Sequence, residues 1–189
     1  MTTLTIAEAS PDRATLPIGA RGPAFEELLG TDGQRHGFST LADREAIVLI
    51  FSSNRCPTAK AYAERMNALQ LRFGPRGVQL VAINSNDPHL YPDESYARMV
   101  DRATEHAYEF PYVVDDGQHV AKAYGARCTF HVFVLDRTRR VRYEGRFDDS
   151  RTDERVTSHD LANALEDVLA GRDVRVENTR PFGCSLDFV

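Results

Sequence analysis

The stretch from Ile47 to Thr58 constrains the fold most, because it passes from a buried strand through a polar turn into a helix. Its first five residues are all apolar and three of them are β-branched, a pattern typical of a strand covered on both faces in a parallel sheet. Pro57 suits the first turn of a helix, so Cys56 lies at the predicted helix N-terminus. The apolar residues that follow recur three or four apart and predict one buried stripe: Ala59, Tyr62, Ala63, Met66, Leu69 and Phe73.

Cys56 occupies a position where a thiolate is stabilised. The unpaired N–H groups and the positive end of the dipole at a helix N-terminus favour an anion, and the charge of the adjacent Arg55 can add to that effect. The alternative is an inert buried thiol, the commonest fate of a free cysteine. We favour a reactive thiol because Cys56 follows the carboxyl end of a buried strand, where open α/β sheets place their sites.

The residues around Cys56 resemble two related motifs. The run Ser53-Asn54-Arg55-Cys56 resembles the redox motif of the thioredoxin-like superfamily with serine in place of its first cysteine. The run Cys56-Pro57-Thr58 resembles the start of the active-site helix in peroxiredoxins, the AhpC/TSA family of redoxins, here in a divergent bacterial branch. Peroxiredoxins carry Thr or Ser three residues before their peroxidatic cysteine. The resemblance therefore implies Cys56 as the nucleophile and Ser53 as its hydrogen-bond partner.

The N-terminal part is predicted as an extended lead-in over residues 1–21, because it is polar, contains prolines and shows no sustained period. One thioredoxin-like domain of the AhpC/TSA type is then predicted over residues 22–189. An Asp32-Gly33 turn and a return strand over 34–38 predict an N-terminal β-hairpin, in the order that the AhpC/TSA family shows.

The remaining elements predict an α/β domain. A strand over 78–83 completes a strand-helix-strand unit, whose strands should be parallel. A helix over 93–107 is predicted to bury Tyr96, Met99, Val100 and Ala103. Further strands are predicted at 110–116, 132–136 and 141–147, and further helices at 118–124 and 158–169. The expected fold is thioredoxin-like, a mixed central sheet flanked by helices.

The junction Cys128-Thr129-Phe130-His131 departs from the family pattern. Thioredoxin-like proteins usually have Thr-Pro with a cis proline here, whereas a cis bond before Phe130 would cost about 3 kcal/mol, so a trans bond is predicted. Peroxiredoxins place a peroxide-polarising arginine nearby. That cation would have to be Arg55, Arg127 or Arg146, and we favour Arg127 because it adjoins a junction expected to face the reactive cysteine.

Two further cysteines are candidates for a resolving thiol. The run Gly183-Cys184-Ser185-Leu186 resembles the closing segment of the same bacterial branch, and Cys184 or Cys128 can attack a sulfenic acid on Cys56. The alternative for Cys184 is a thiol packed under the tail. Three distant cysteines fit reactive or buried thiols better than a disulfide framework. Zinc or copper binding by the cysteines with His131 lacks paired spacing, so we expect no metal and no cofactor.

Composition narrows the function classes. The 189 residues with 42% hydrophobic content fit one domain. A net charge of −5 without a basic cluster argues against nucleic acid as a partner, and no long apolar segment predicts a membrane partner. Met1 to Ala9 lacks the basic start and apolar core of a secretory signal, so a cytoplasmic location is expected.

The favoured function is a peroxiredoxin-like, thiol-dependent oxidoreductase that reduces peroxides through a Cys56 thiolate and a sulfenic acid. The alternative is a non-catalytic thioredoxin-like domain for binding or redox sensing. Dithiol exchange within one motif is disfavoured because Ser53 cannot form a mixed disulfide. The expected partners are a peroxide or a small thiol or disulfide as substrate and an unidentified thiol reductant. The oligomeric state stays open, with a homodimer among the options.

Overall fold

The computed structural model describes residues 15–186 and 188, built around a five-stranded mixed sheet. The strands of this sheet are β3 (Ala46–Ser52), β4 (Val78–Asn84), β5 (Tyr112–Val114), β6 (Val132–Asp136) and β7 (Val141–Gly145). Two short strands, β1 (Leu28–Leu29) and β2 (Arg35–His36), form a separate pair. The α-helices are α1 (Pro57–Ala61), α2 (Ala63–Phe73), α3 (Tyr96–Glu105), α4 (His119–Tyr124) and α5 (Asp160–Leu169).

The strand order β5-β4-β3-β6-β7 places β3 at the centre of the sheet. The pairs β3–β4 and β4–β5 are parallel, and β3–β6 and β6–β7 are antiparallel. All seven residues of β3 are buried, which confirms a strand covered on both faces. Ser52 pairs with Asn84, so the carboxyl ends of β3 and β4 lie side by side at one edge.

Helices cover both faces of this sheet, as a thioredoxin-like fold requires. Val48 and Ile50 of β3 pack in one core with the buried residues of α1, α2 and α5. Ile47, Leu49 and Phe51, which point the other way because side chains alternate along a strand, pack in a second core with α4. The predicted α/β class and mixed sheet are therefore confirmed.

The N-terminal segment and the chain end both pack against this sheet. The predicted hairpin is present as the antiparallel pair β1–β2. Before it, the backbone N–H groups of Gly19 and Gly22 donate to the carbonyls of Val141 and Arg139, each at 2.8 Å. The predicted boundary between residues 21 and 22 stays a prediction, and the predicted features of residues 1–14 lie outside the described residues.

None of the helices in the described part of the chain has the length and apolarity of a membrane span.

Two helix predictions need correction. The helix predicted after Cys56 divides at Tyr62 into α1 and α2, although all six residues of its predicted stripe are buried. The helix predicted over 93–107 is α3, preceded by a 3₁₀ turn at Pro92–Glu94. Of the four residues predicted to be buried, only Met99 is buried; Val100 and Ala103 are half-buried and Tyr96 is 37% exposed. Arg102 is buried instead and donates to the Tyr108 hydroxyl at 2.9 Å, because an arginine can bury its stem while its head group finds a partner.

Candidate active site

Cys56 lies at the carboxyl edge of the sheet, between β3 and α1. Its φ of −66° and ψ of 120° are those of a residue that precedes a helix, and its carbonyl accepts from the Lys60 N–H at 3.0 Å. Pro57 is the first helical residue, as predicted. The side chain of Cys56 is 1% exposed. The sequence therefore located the helix start correctly, and the structure adds that the thiol is enclosed.

Ser53 and Glu94 hold the turn that leads into α1. The Ser53 hydroxyl donates to Glu94 Oε1 at 2.5 Å and accepts from the N–H groups of Arg55 and Cys56, each at 3.1 Å. Glu94 Oε2 also accepts from the Asn54 N–H at 2.8 Å. The contact of Ser53 with Cys56 thus runs through the backbone N–H. Glu94 was not singled out by the sequence, where it is one acidic residue in a polar turn.

The sulfur of Cys56 is surrounded by hydrogen-bond donors. The Thr129 hydroxyl donates to it at 3.0 Å. The pKa of Cys56 is lowered to about 5, and hydrogen bonding by the Cys184 thiol is the largest cause. Burial acts in the opposite direction and raises this pKa, whereas the Thr129 hydroxyl and the N–H groups of Ala59 and Cys184 lower it further. The same contact raises the pKa of Cys184 above its usual range. The pair is therefore one thiolate, on Cys56, and one neutral thiol.

Thr129 also holds the chain end that carries Cys184. Its N–H donates to the Cys184 carbonyl, and its hydroxyl accepts from the Cys184 N–H, both at 2.8 Å. Cys128 and Ser185 form an antiparallel β-bridge beside these bonds. The peptide before Phe130 is trans, as predicted, and Phe130 has a φ of 62°. The missing proline marks this junction in the sequence, but no sequence signal points to the role of Thr129.

Cys128 and Arg127 belong to a neighbouring buried cluster. Burial raises the pKa of Cys128 to about 12, which makes it a poor nucleophile at neutral pH. The Arg127 guanidinium lies 3.3 Å from each carboxylate oxygen of Glu144, which also binds Nε2 of the fully buried His131 at 2.5 Å. Burial keeps the pKa of His131 below its usual value. Arg127 thus has Glu144 as its recorded side-chain partner, and the catalytic role predicted for it stays a prediction.

The other two candidate cations also have partners away from the sulfur. The Arg55 guanidinium lies over the ring of Tyr91, 4.1 Å from its centroid. Arg146 Nε donates to Asp160 at 2.6 Å. Within residues 15–186 and 188, no cluster of three or more Cys, His, Asp and Glu side chains is arranged to hold a metal ion.

Comparisons with known proteins agree with this fold. A family model described as Redoxin matches residues 17–165. A crystal structure of a hypothetical protein from Sinorhizobium meliloti 1021 is 35% identical with a TM-score of 0.85, over 94% of this chain and 97% of that one. A thiol:disulfide interchange protein of the thioredoxin family from Chlorobium tepidum TLS shares the fold at 17% identity and a TM-score of 0.62, over 82% of this chain and 99% of that one.

Similar curated proteins have a named activity. Thiol-disulfide oxidoreductase ResA from Halalkalibacterium halodurans is 32% identical over 83 residues, which are 44% of this chain and 43% of ResA. The match therefore spans less than half the length of that relative.

Proposed function

Because this chain belongs to the redoxin family and the Thr129 hydroxyl contacts both the Cys56 sulfur and the Cys184 backbone N–H, we propose that it is a thiol-disulfide oxidoreductase. The reduced form is the Cys56–Cys184 dithiol, and the oxidised form is the disulfide between them. The observation that carries the proposal is the position of the Thr129 hydroxyl, which lies 3.0 Å from the Cys56 sulfur and 2.8 Å from the Cys184 N–H nitrogen and so holds the two cysteines side by side. The family relationship and the similarity to ResA support the same class of reaction.

Cys56 is the attacking thiol. A pKa of about 5 makes about 99% of it thiolate at pH 7, and the thiolate is the nucleophile in disulfide exchange. It attacks one sulfur of a substrate disulfide, forms a mixed disulfide and releases one substrate thiol. Cys184 then loses its proton and attacks Cys56, which forms the Cys56–Cys184 disulfide and releases the second substrate thiol. Two electrons pass to the substrate, and a thiol reductant restores the dithiol.

The second thiol comes from the chain end rather than from the turn. The objection that Ser53 cannot form a mixed disulfide concerns exchange within one motif only. Ser53 is instead engaged with Glu94 and two backbone N–H groups. The proposed redox pair therefore needs a chain end that can bring Cys184 to Cys56, and Thr129 provides the hydrogen bonds that do so.

Peroxide reduction is a second candidate, favoured by the enclosure of Cys56. A thiol that is 1% exposed is reached more easily by hydrogen peroxide than by a bulky disulfide. The thiolate would attack one peroxide oxygen, form a sulfenic acid and release hydroxide, and Cys184 would then attack the sulfenic sulfur and release water. A nearby cation would stabilise the charge on the leaving oxygen, but Arg127, Arg55 and Arg146 contact Glu144, Tyr91 and Asp160, respectively.

The test compares the two oxidants on the reduced protein. Glutathione disulfide and hydrogen peroxide are each mixed with the wild type and with Cys56→Ser, Cys184→Ser and Cys128→Ser variants. Intact mass and peptide mapping then locate the products. We expect a Cys56–Cys184 disulfide in the wild type and in the Cys128→Ser variant, and a glutathione adduct held on Cys56 in the Cys184→Ser variant.

The rate constants separate the candidates. Oxidation by glutathione disulfide faster than by peroxide supports disulfide exchange, and the reverse order supports peroxide reduction. Absence of the Cys56–Cys184 disulfide with both oxidants would contradict both and leave a non-catalytic thioredoxin-like domain.

A further inference from the structure

The residues Pro181 to Leu186, here called the C-terminal strap, cover the thiolate. Cys184 of the strap packs against the core cluster that contains Cys56 and shares the Thr129 hydroxyl with the Cys56 sulfur, and Cys56 is 1% exposed. A disulfide larger than a few atoms therefore cannot reach Cys56 until part of this enclosure moves, and the strap is the part of it that adjoins the sulfur through Thr129. The strap is thus part of the access path as well as the source of the second thiol.

The strap binds in the manner of an added β-strand. The Cys184 carbonyl accepts from the Thr129 N–H, and Cys128 pairs with Ser185 in an antiparallel bridge. Main-chain bonds of this kind recognise an extended backbone whatever its side chains are. The side chain that the strap places against the reactive sulfur is a cysteine. The strap is therefore an extended peptide that places a cysteine beside the reactive thiol, with the Thr129 hydroxyl between the Cys56 sulfur and the Cys184 backbone.

The contact is close but limited in extent. A Cβ added at Gly183 would lie 1.9 Å from the Thr129 carbonyl oxygen, so only glycine allows this approach. The preceding segment is held separately, by bonds of Glu177 and Thr179 to Glu144 at 2.9 and 3.1 Å. After the strap's cysteine, Leu186 is buried at 7% exposure. The strap can therefore leave Thr129 while residues 177–179 stay on β7.

We propose that the strap occupies the binding site of a polypeptide substrate. An extended segment that carries a disulfide takes the place of the strap on Cys128 and Thr129 and presents its sulfur to Cys56. This inference rests on the proposed function, since it assigns the substrate class of the same thiolate. The Cys56 thiolate attacks the substrate disulfide and releases one substrate thiol. When the strap returns, Cys184 attacks Cys56 and releases the segment as a thiol.

The first test follows the strap in a trapped complex. An extended octapeptide with a central cysteine, activated as its thionitrobenzoate disulfide, reacts with the Cys184→Ser variant; Cys56 takes the peptide and releases thionitrobenzoate. Hydrogen exchange is compared with that of the same variant capped by a methylthio group. We expect the amides of residues 183–186 to lose protection only in the peptide complex, while the Thr129 amide stays protected. Equal protection of the strap in both forms would overturn the inference.

The second test loosens the strap. In the Cys184→Ser background, Gly183→Ala should raise the rate of reaction with the peptide probe about tenfold, because reaction follows the population of the opened state. The rate with hydroxyethyl disulfide, a small probe, should change less. Leu186→Ala gives an independent variant if Gly183→Ala does not fold, as judged by circular dichroism, and Leu71→Ala, at an exposed position of α2 outside the strap, is the control. An unchanged or lower peptide rate in the loosened variants contradicts the inference.

The two proposals fail differently. If neither probe modifies Cys56 in any folded variant, the proposed function fails and this inference fails with it. If both probes modify Cys56 but the strap amides stay protected, only the strap inference fails.

Discussion

Replacement of Cys184 by alanine should raise the pKa of Cys56, because it removes the largest cause that keeps this pKa at about 5. A hydrogen bond to a charged group is worth about 1.5–3 kcal/mol, and one pKa unit corresponds to about 1.4 kcal/mol. The pKa of Cys56 should therefore rise by about 1–2 units. The Thr129 hydroxyl and the backbone N–H groups still donate to the sulfur, so the value should stay below that of a free thiol.

The measurement is the pH dependence of iodoacetamide alkylation at Cys56, followed by mass. Cys184→Ser is the matched control, because a serine hydroxyl at the same position still donates and should keep the pKa near the wild-type value. Cys128→Ala removes a thiol that is not among the causes of the lowered pKa of Cys56, so this variant should leave the pKa of Cys56 nearly unchanged. If Cys56 has the same pKa in the Cys184→Ala variant as in the wild type, the Cys184 thiol does not stabilise the thiolate and the reasoning is refuted.

Three further predictions concern the turn, pH and the arginine. Glu94→Gln should lower the free energy of unfolding by about 1–3 kcal/mol, because one of the two oxygens that accept from Ser53 and Asn54 becomes an amide donor. Urea unfolding measures the change, and Asp93→Asn, at an exposed position, is the control whose unfolding midpoint should match the wild type. The pKa of Cys56 is lowered on folding, so the stability that this thiolate contributes is complete above the ordinary pKa of 9.0 and is lost as the pH falls through about 5. The free energy of unfolding should therefore rise between pH 5 and pH 8 by up to about 1.4 kcal/mol per pH unit. A Cys56→Ser variant that shows the same pH dependence would count against this. Arg127→Gln should lower the free energy of unfolding by about 1–3 kcal/mol, because it removes the arginine that pairs with Glu144, and it should leave the pKa of Cys56 unchanged. A tenfold slower reaction with peroxide at unchanged stability would instead support the catalytic role predicted for Arg127.

The elements that local pattern specifies were predicted well. The apolar run of β3 and the spacing of residues after Pro57 place Cys56 at a helix start without any knowledge of distant contacts, since both signals lie within a few turns of chain. The fold class followed from the resemblance of these motifs. The stripe predicted for α3 is confirmed only at Met99, because apolar spacing alone does not predict that Arg102 is buried against Tyr108 while Tyr96 is exposed.

The contacts that complete the site are long-range. Glu94 is 41 residues from Ser53 and reaches it because β3 and β4 pair in parallel with their carboxyl ends together. Thr129 is 73 residues from Cys56, and Cys184 returns from the far end of the chain. Spacing in sequence carries no signal for such contacts, so the sequence alone does not distinguish Cys184 from Cys128, and it favours Arg127 only because that residue adjoins the junction.

The position of the second thiol has a mechanistic consequence. A cysteine at position 53 would be fixed in the turn, and oxidation would require little movement of the chain. Ser53 instead uses its hydroxyl to hold two backbone N–H groups, and the second thiol is on a strap attached by main-chain bonds to Thr129. Formation of a Cys56–Cys184 disulfide would then fasten the strap over the site, and reduction would release it. In the proposed cycle, redox state and access to Cys56 are therefore coupled through the same six residues.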